Sequence, residues 1–208
     1  MTYIGFDFSC NKPACYIQKY NRMLFILWPL EMDEKSETKL SAVKVKVNNR
    51  TRFEPGTTST EKFRWHIQQV DFLVNCIVQD LKILIDSDDV KIAFEGSSFG
   101  SKGDAALQLA GYRYLLVSKL ADLYGLENIY TYAPPTIKSM AGCATKDKRG
   151  KNSMIEAFKN ENVDHPFCQT LRDNPENLKK KTNYIEGVDD LVDAYWTLKT
   201  LIIKEKLS

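Results

Sequence analysis

The stretch Thr2-Tyr3-Ile4-Gly5-Phe6-Asp7-Phe8-Ser9 decides how the rest of the chain is read. It is dense in aromatic and β-branched residues, the composition of a strand. It also carries one carboxylate in its interior. A central strand rarely holds an acid without a partner, because a buried charge is costly unless something answers it. Outward from it, residues 14–20 read as a second strand, with turn chemistry at Ser9-Cys10-Asn11-Lys12-Pro13 between the two. Asn21-Arg22 is short enough to lead into a third, antiparallel strand at 23–31. The fold opens on three consecutive antiparallel strands, with Asp7 in the first.

Residues 32–59 differ in character: polar, charged, and ending in Pro55-Gly56-Thr57-Thr58-Ser59. They read as a long insertion holding one edge strand. From Thr60, a plausible N-cap, the period becomes helical. Phe63, Ile67, Val70, Val74, Ile77, Val78, Leu81 and Ile85 recur at spacings of three and four, and Asp86-Ser87-Asp88-Asp89 ends the run. Val90–Phe94 is a short apolar strand closing on Glu95. A helix is expected from Asp104 to Leu123, with Gly125 as its C-cap. Ile129–Tyr132 is another strand, and Pro134-Pro135-Thr136 starts a short helix with proline in its first turn. A basic loop leads to a helix near 151–160, residues 161–185 read as polar and irregular, and a last helix runs over 188–204. This order predicts an α/β fold with a mixed five-stranded sheet, antiparallel first and parallel after, flanked by helices. No repeat or domain boundary stands out over 1–208, so a single domain is expected.

Composition removes several classes. Hydrophobic content of 43% beside 27% charged residues is that of an ordinary globule. The longest apolar run, Leu24 to Leu30, is far short of the roughly 20 residues a membrane helix needs. Met1–Asp7 lacks the basic start of a signal peptide, and five scattered cysteines without a CxxC pair read as reduced thiols. An intracellular, cytoplasmic protein is expected. Two histidines, His66 and His165, leave little for a histidine metal site or a Ser-His-Asp triad. The net charge of +2 is uninformative, but Lys138, Lys146, Lys148, Arg149 and Lys151 face one acid, Asp147, over fourteen positions. That concentration suits an anionic partner, although a solvated loop is the plainer reading.

Three acidic signals remain. Asp7 lies within a strand, Glu95 ends one, and Asp190 and Asp193 share a face of the last helix near its start. Each has a bland reading: Glu95 as a turn residue, the helix pair as complement to the helix dipole, Asp189 as N-cap. All three elements can nevertheless meet at one end of one sheet. Four carboxylates gathered there would repel, and two divalent cations would neutralise them. Oxygen ligands of this kind select Mg²⁺ or Mn²⁺ over zinc, and paired ions suit in-line phosphoryl displacement.

With Gly5-Phe6-Asp7, Phe94-Glu95-Gly96-Ser97-Ser98-Phe99, Asp104 to Arg113, Pro135-Thr136-Ile137-Lys138, Gly142 to Lys148, and Asp190-Leu191-Val192-Asp193-Ala194, the chain resembles the RuvC-type Holliday-junction resolvases of the RNase H-like superfamily. The matched pieces cover somewhat under half of the chain. The resemblance implies an RNase H-like fold and metal-binding, catalytic acids at Asp7, Glu95, Asp190 and Asp193. It implies phosphate-holding lysines at Lys138 and Lys148, with Lys146 a neighbouring candidate. Phe99 matches, one position late, the family's aromatic that opens base pairs at the junction centre; a loop-packing Phe is the other reading. The helix 104–123 resembles the family's dimer helix. Phe8, where the family carries a small residue or proline, and the segments 32–59 and 161–185 depart from its pattern.

The implied activity is an Mg²⁺-dependent endonuclease, Mn²⁺ substituting, with two ions per site. It would resolve four-way DNA as a homodimer in recombination and repair, with Lys146, Arg149 and Lys151 adding backbone affinity. Another RNase H-like nuclease acting on RNA–DNA hybrids or flaps, and a non-catalytic DNA-binding module, are the alternatives. A DEDD-type exonuclease fits less well, since Asp7-Phe8-Ser9 lacks Asp-x-Glu, and 208 residues are too few for an actin-like ATPase.

Overall fold

Strand β1 (Thr2–Asp7) runs antiparallel to β2 (Ala14–Lys19), which runs antiparallel to β3 (Arg22–Leu27). The computed structural model describes residues 1–85, 89–96, 104–144 and 152–205, with 104–108 described by backbone alone. On its other side β1 pairs in parallel with β5 (Val90–Glu95), and β5 with β6 (Ile129–Tyr132). The expected mixed sheet is therefore present. It has a sixth strand, β4 (Lys46–Val47), parallel to β3, giving the order β4-β3-β2-β1-β5-β6.

Side-chain alternation divides the core into two layers. Ile4, Phe6, Cys15, Ile17, Ile26, Trp28, Ile92 and Phe94 face the helices α2 (Ser59–Leu84) and α3 (Asp104–Tyr124), meeting Leu73, Val74, Ile77, Leu81, Leu116 and Leu120. Phe6 is fully buried there, 5.0 Å from the Phe94 ring and 6.4 Å from Trp28. Replacing it with alanine would cost about 3–5 kcal/mol. Ala14, Tyr16, Phe25 and Leu27 face the opposite way, against α7 (Val188–Lys204). Helix α7 is apolar on most of its circumference, with Leu191, Val192, Ala194, Trp196, Leu198 and Leu201 buried, because α5 (Ser153–Lys159) and α4 (Pro134–Met140) cover the sides that the sheet does not.

The two polar segments are more ordered than their composition suggests. Residues 32–59 form α1 (Glu34–Ala42), capped by Asp33 accepting from Ser36 N, and then β4. Residues 161–185 form α6 (Pro166–Asp173), a 3₁₀ turn and a hairpin of β7 (Lys179–Lys180) and β8 (Asn183–Tyr184). Helix α6 places Phe167, Cys168 and Leu171 on one face, and Phe167 packs 5.0 Å from Phe25. This segment is part of the core. Lys179, in the basic run 179–181, ion-pairs with Glu176 at 2.9 Å, and the positive φ of Lys181 turns the hairpin. Among the described residues, no helix is long and apolar enough to cross a membrane, and all five cysteines are free thiols.

Candidate active site

Register and parity carry the acids to one place. Phe6 of β1 pairs with Phe94 of β5, so Asp7 and Glu95, each the next residue, end neighbouring parallel strands. Phe6 and Phe94 both point toward α2 and α3, so the following carboxylates emerge on the opposite face, that of α7. The last helix arrives close because position 5 is glycine. A Cβ at Gly5 would stand under 3.0 Å from Ala194 O, Leu198 N and Leu198 Cβ. That close approach sets the first turns of α7, with Asp190 and Asp193, beside the end of β1.

Helix α7 begins at Gly187, whose φ of +92° is left-handed and suits glycine. Asp189 is therefore not the N-cap, and its carboxylate adds to the charge of the cluster. Asp7, Glu95, Asp190 and Asp193 are each half-buried. Burial raises the Asp7 carboxyl well above the carboxylate range, and Asp193, Asp190, Glu95 and Asp189 push it further in the same direction. Asp193 is pushed up to about 8, by burial first and then by Glu95, Asp189 and Asp190, with Lys138 opposing. Asp190 is pushed up to about 7, by burial and Asp189, with Lys12 opposing. Burial also raises Glu95, against the pull of Lys138 and Arg113. These mutual influences identify one electrostatic cluster drawn from β1, β5 and α7.

Lys138, exposed on α4, acts on this cluster through Glu95 and Asp193. Two further cations border it without having been assigned a role in the sequence. Lys12, in the turn after β1, places its Nζ 3.0 Å from Glu186 and 4.0 Å from Asp190. Arg113 of α3 donates to the main-chain oxygen of Glu95 at 2.9 Å. The only available signals were a lysine in the turn following the strand acid and an arginine closing the segment Asp104 to Arg113, and both patterns are common on solvated surfaces. Phe99, Lys146, Lys148, Arg149 and Lys151 lie outside the described residues. The His66 ring lies 4.5 Å from Trp65 and 6.4 Å from Tyr112. His165 is buried against Phe25, its Nδ1 accepting from Phe167 N, and burial lowers it to about 4.

The donor set is all carboxylate oxygen, the kind preferred by Mg²⁺ and Mn²⁺. The buried Asp190 Oδ2 has no hydrogen-bond donor. Among the described residues no three acidic, histidine or cysteine side chains converge tightly enough to form a finished cage. Sharing an ion therefore requires the carboxylates to rotate toward one another, against a mutual repulsion that the ion itself would remove.

No protein-family model matches the chain, and no curated protein matches its sequence. Solved structures do match its fold. T. thermophilus RuvC in complex with Holliday junction substrate aligns with a TM-score of 0.53 and 11% identity, over 98% of this chain and 96% of that one. A second Thermus thermophilus RuvC structure aligns over 99% and 97% at 14% identity, with a TM-score of 0.49. The chain has a RuvC-like, RNase H-like fold along nearly its whole length, carried by a strongly diverged sequence.

Proposed function

We propose that this chain is a divalent-metal-dependent endonuclease that resolves four-way DNA junctions. The observation carrying the reading is the gathering of four carboxylates from three separate elements at one sheet end, on a RuvC-like fold. Asp7, Glu95, Asp190 and Asp193 would hold two Mg²⁺ ions, with Mn²⁺ able to substitute. When bound, such ions supply an activated water and positive charge at the leaving oxygen of a phosphodiester. The water oxygen bonds to phosphorus as the bond to O3′ breaks, and the leaving oxygen takes up a proton. The products are 5′-phosphate and 3′-hydroxyl ends.

In this reading Lys138 and Lys148 hold the scissile phosphate as point charges. Lys146, Arg149 and Lys151 contribute backbone affinity, and Phe99 opens base pairs at the junction centre. Symmetric nicking needs two sites, so the chain would act as a homodimer. We place that contact on the exposed apolar side chains Phe63 and Ile67 of α2 and Tyr114 of α3.

The test is Mg²⁺-dependent cleavage of a four-way junction, a flap, a linear duplex and an RNA–DNA hybrid, with wild type beside Asp7→Asn. Paired nicks in the junction are expected, falling by about 10²–10³-fold in Asp7→Asn while DNA binding survives. Preferential cutting of hybrid or flap would keep the metal site and change the substrate. Absence of cleavage with either Mg²⁺ or Mn²⁺ would overturn the catalytic reading.

A further inference from the structure

Asp190 carries an oxygen that the fold leaves open. Its Oδ2 is buried and accepts no hydrogen bond, although a lysine stands beside it. Lys12 Nζ is 4.0 Å from that oxygen, outside hydrogen-bonding range, and 3.0 Å from Glu186 Oε1. The ammonium is thus turned toward the more exposed of the two acids, whose side chains keep 47% and 15% of their surface, and away from the one in the cluster.

Neither position depends on the ion pair. Lys12 N donates to Ser9 Oγ at 2.9 Å, and the residues on either side of it also accept in the main chain, Asn11 O from Leu30 N at 2.8 Å and Pro13 O from Trp28 N at 2.9 Å. Glu186 follows Ile185, which is buried and donates its N to Leu178 O at 2.8 Å. It precedes Gly187, where an added Cβ would stand under 3.0 Å from Leu27. A turn and a helix start, each fastened from elsewhere, therefore bring opposite charges together at the rim of the acid cluster. A pair this exposed contributes little to stability. Its effect is electrostatic: Asp190 has a positive charge close by, yet its oxygen stays unoccupied.

We propose that Lys12 is a built-in competitor for the cation site at Asp190, and that Glu186 holds it back. While the site is empty, the tethered ammonium offsets part of the repulsion among Glu186, Asp189 and Asp190. When Glu186 is neutralised, the ammonium closes onto the open Asp190 oxygen, and an arriving divalent ion must displace it. The pair thereby sets how much free divalent ion the site requires. The identity of that ion rests on the nuclease reading.

The experiment is titration calorimetry of the full chain with Mn²⁺, beside thermal melts in EDTA. It compares wild type, Lys12→Gln, Lys12→Arg, Glu186→Gln and the double variant of Lys12→Gln with Glu186→Gln. Lys12→Gln should bind Mn²⁺ on the order of tenfold more tightly, since two cations no longer share one carboxylate, while its midpoint in EDTA falls. Glu186→Gln should bind on the order of tenfold more weakly, but only where Lys12 is present, so the double variant should match Lys12→Gln. Lys12→Arg keeps the charge and should keep the wild-type affinity. Affinity and midpoint falling together in Lys12→Gln would make Lys12 a structural residue and overturn the proposal. An equal loss on Glu186→Gln with and without Lys12 would overturn it too, as the bare removal of a negative charge. Equal Mn²⁺ binding by wild type and Lys12→Gln refutes the competitor and leaves the nuclease reading standing. A wild type that binds no Mn²⁺ removes both.

Discussion

Asp193 shows what the acid cluster demands of the fold. Its carboxyl is raised to about 8 by burial and by its neighbours, whereas in an unfolded chain it would titrate near the ordinary ~3.9. Between those values the folded state binds more protons than the unfolded one, so stability falls as pH rises from about 4 to about 8. Asp190, raised to about 7, adds to the same trend. Without divalent ions, Asp193→Asn should stabilise the protein at pH 8 by on the order of 1–3 kcal/mol and have almost no effect near pH 4. Thermal melts in EDTA at the two pH values check this. A destabilised Asp193→Asn at pH 8 would contradict the strain. Millimolar Mg²⁺ should raise the wild-type midpoint at pH 8 and leave Asp7→Asn largely unmoved, since a ligand that binds only the folded state shifts the equilibrium toward it.

At the scale of elements, the contact of β1 with α7 depends on one missing methyl group. Gly5→Ala would press a Cβ against the helix backbone at Ala194 and Leu198, and backbone there cannot swing aside as a flexible side chain would. A loss of about 2–4 kcal/mol in chemical denaturation is expected. It should be accompanied by weakened Mn²⁺ binding as Asp190 and Asp193 shift away from Asp7. Helix α2 offers a milder test. Thr58 and Glu61 form a reciprocal capping box, so Thr58→Ala should cost about 1 kcal/mol without touching metal affinity. The long helices were legible in the sequence because apolar residues repeated at helical spacing over many turns. Asp7 and Glu95 stood out because one interrupted an apolar run and the other ended one, and Asp190 and Asp193 because their spacing put both on one helix face. The caps were harder. Thr58 starts α2, not Thr60, and Gly187 starts α7, not Asp189, because several polar residues at each boundary could serve and tertiary packing chooses among them. Helices α1 and α6 were hidden by their shortness and polarity, and Lys12 by the ambiguity of any lysine in a turn.

For the molecule as a whole, α2 and α3 carry a second message on their outer side. Phe63 is 65% exposed, Ile67 50% and Tyr114 65%, although two of these belong to the apolar stripe that made α2 readable. The N-terminal part of that stripe therefore extends past the core that its C-terminal part fills. If it meets a second copy, Phe63→Glu combined with Tyr114→Glu should yield a monomer by sedimentation velocity, while circular dichroism stays that of wild type. Under the proposed resolvase function, junction cleavage by this variant should lose its pairing, leaving single nicks. A wild-type chain that sediments as a monomer at micromolar concentration, with and without junction DNA, would remove this contact from the account.

The approach of Gly5 to Ala194 has a further consequence in time. About 180 residues must be made between the strand that contributes Asp7 and the helix that contributes Asp190 and Asp193. Contacts of such long sequence separation close late, because the entropy of the intervening loop must be overcome first. During synthesis the early strands can pair with one another, but α7 is still within the ribosome, and two of the four acids with it. The acid cluster is thus completed only once α7 has been made, and a chain interrupted before it lacks two of the four acids.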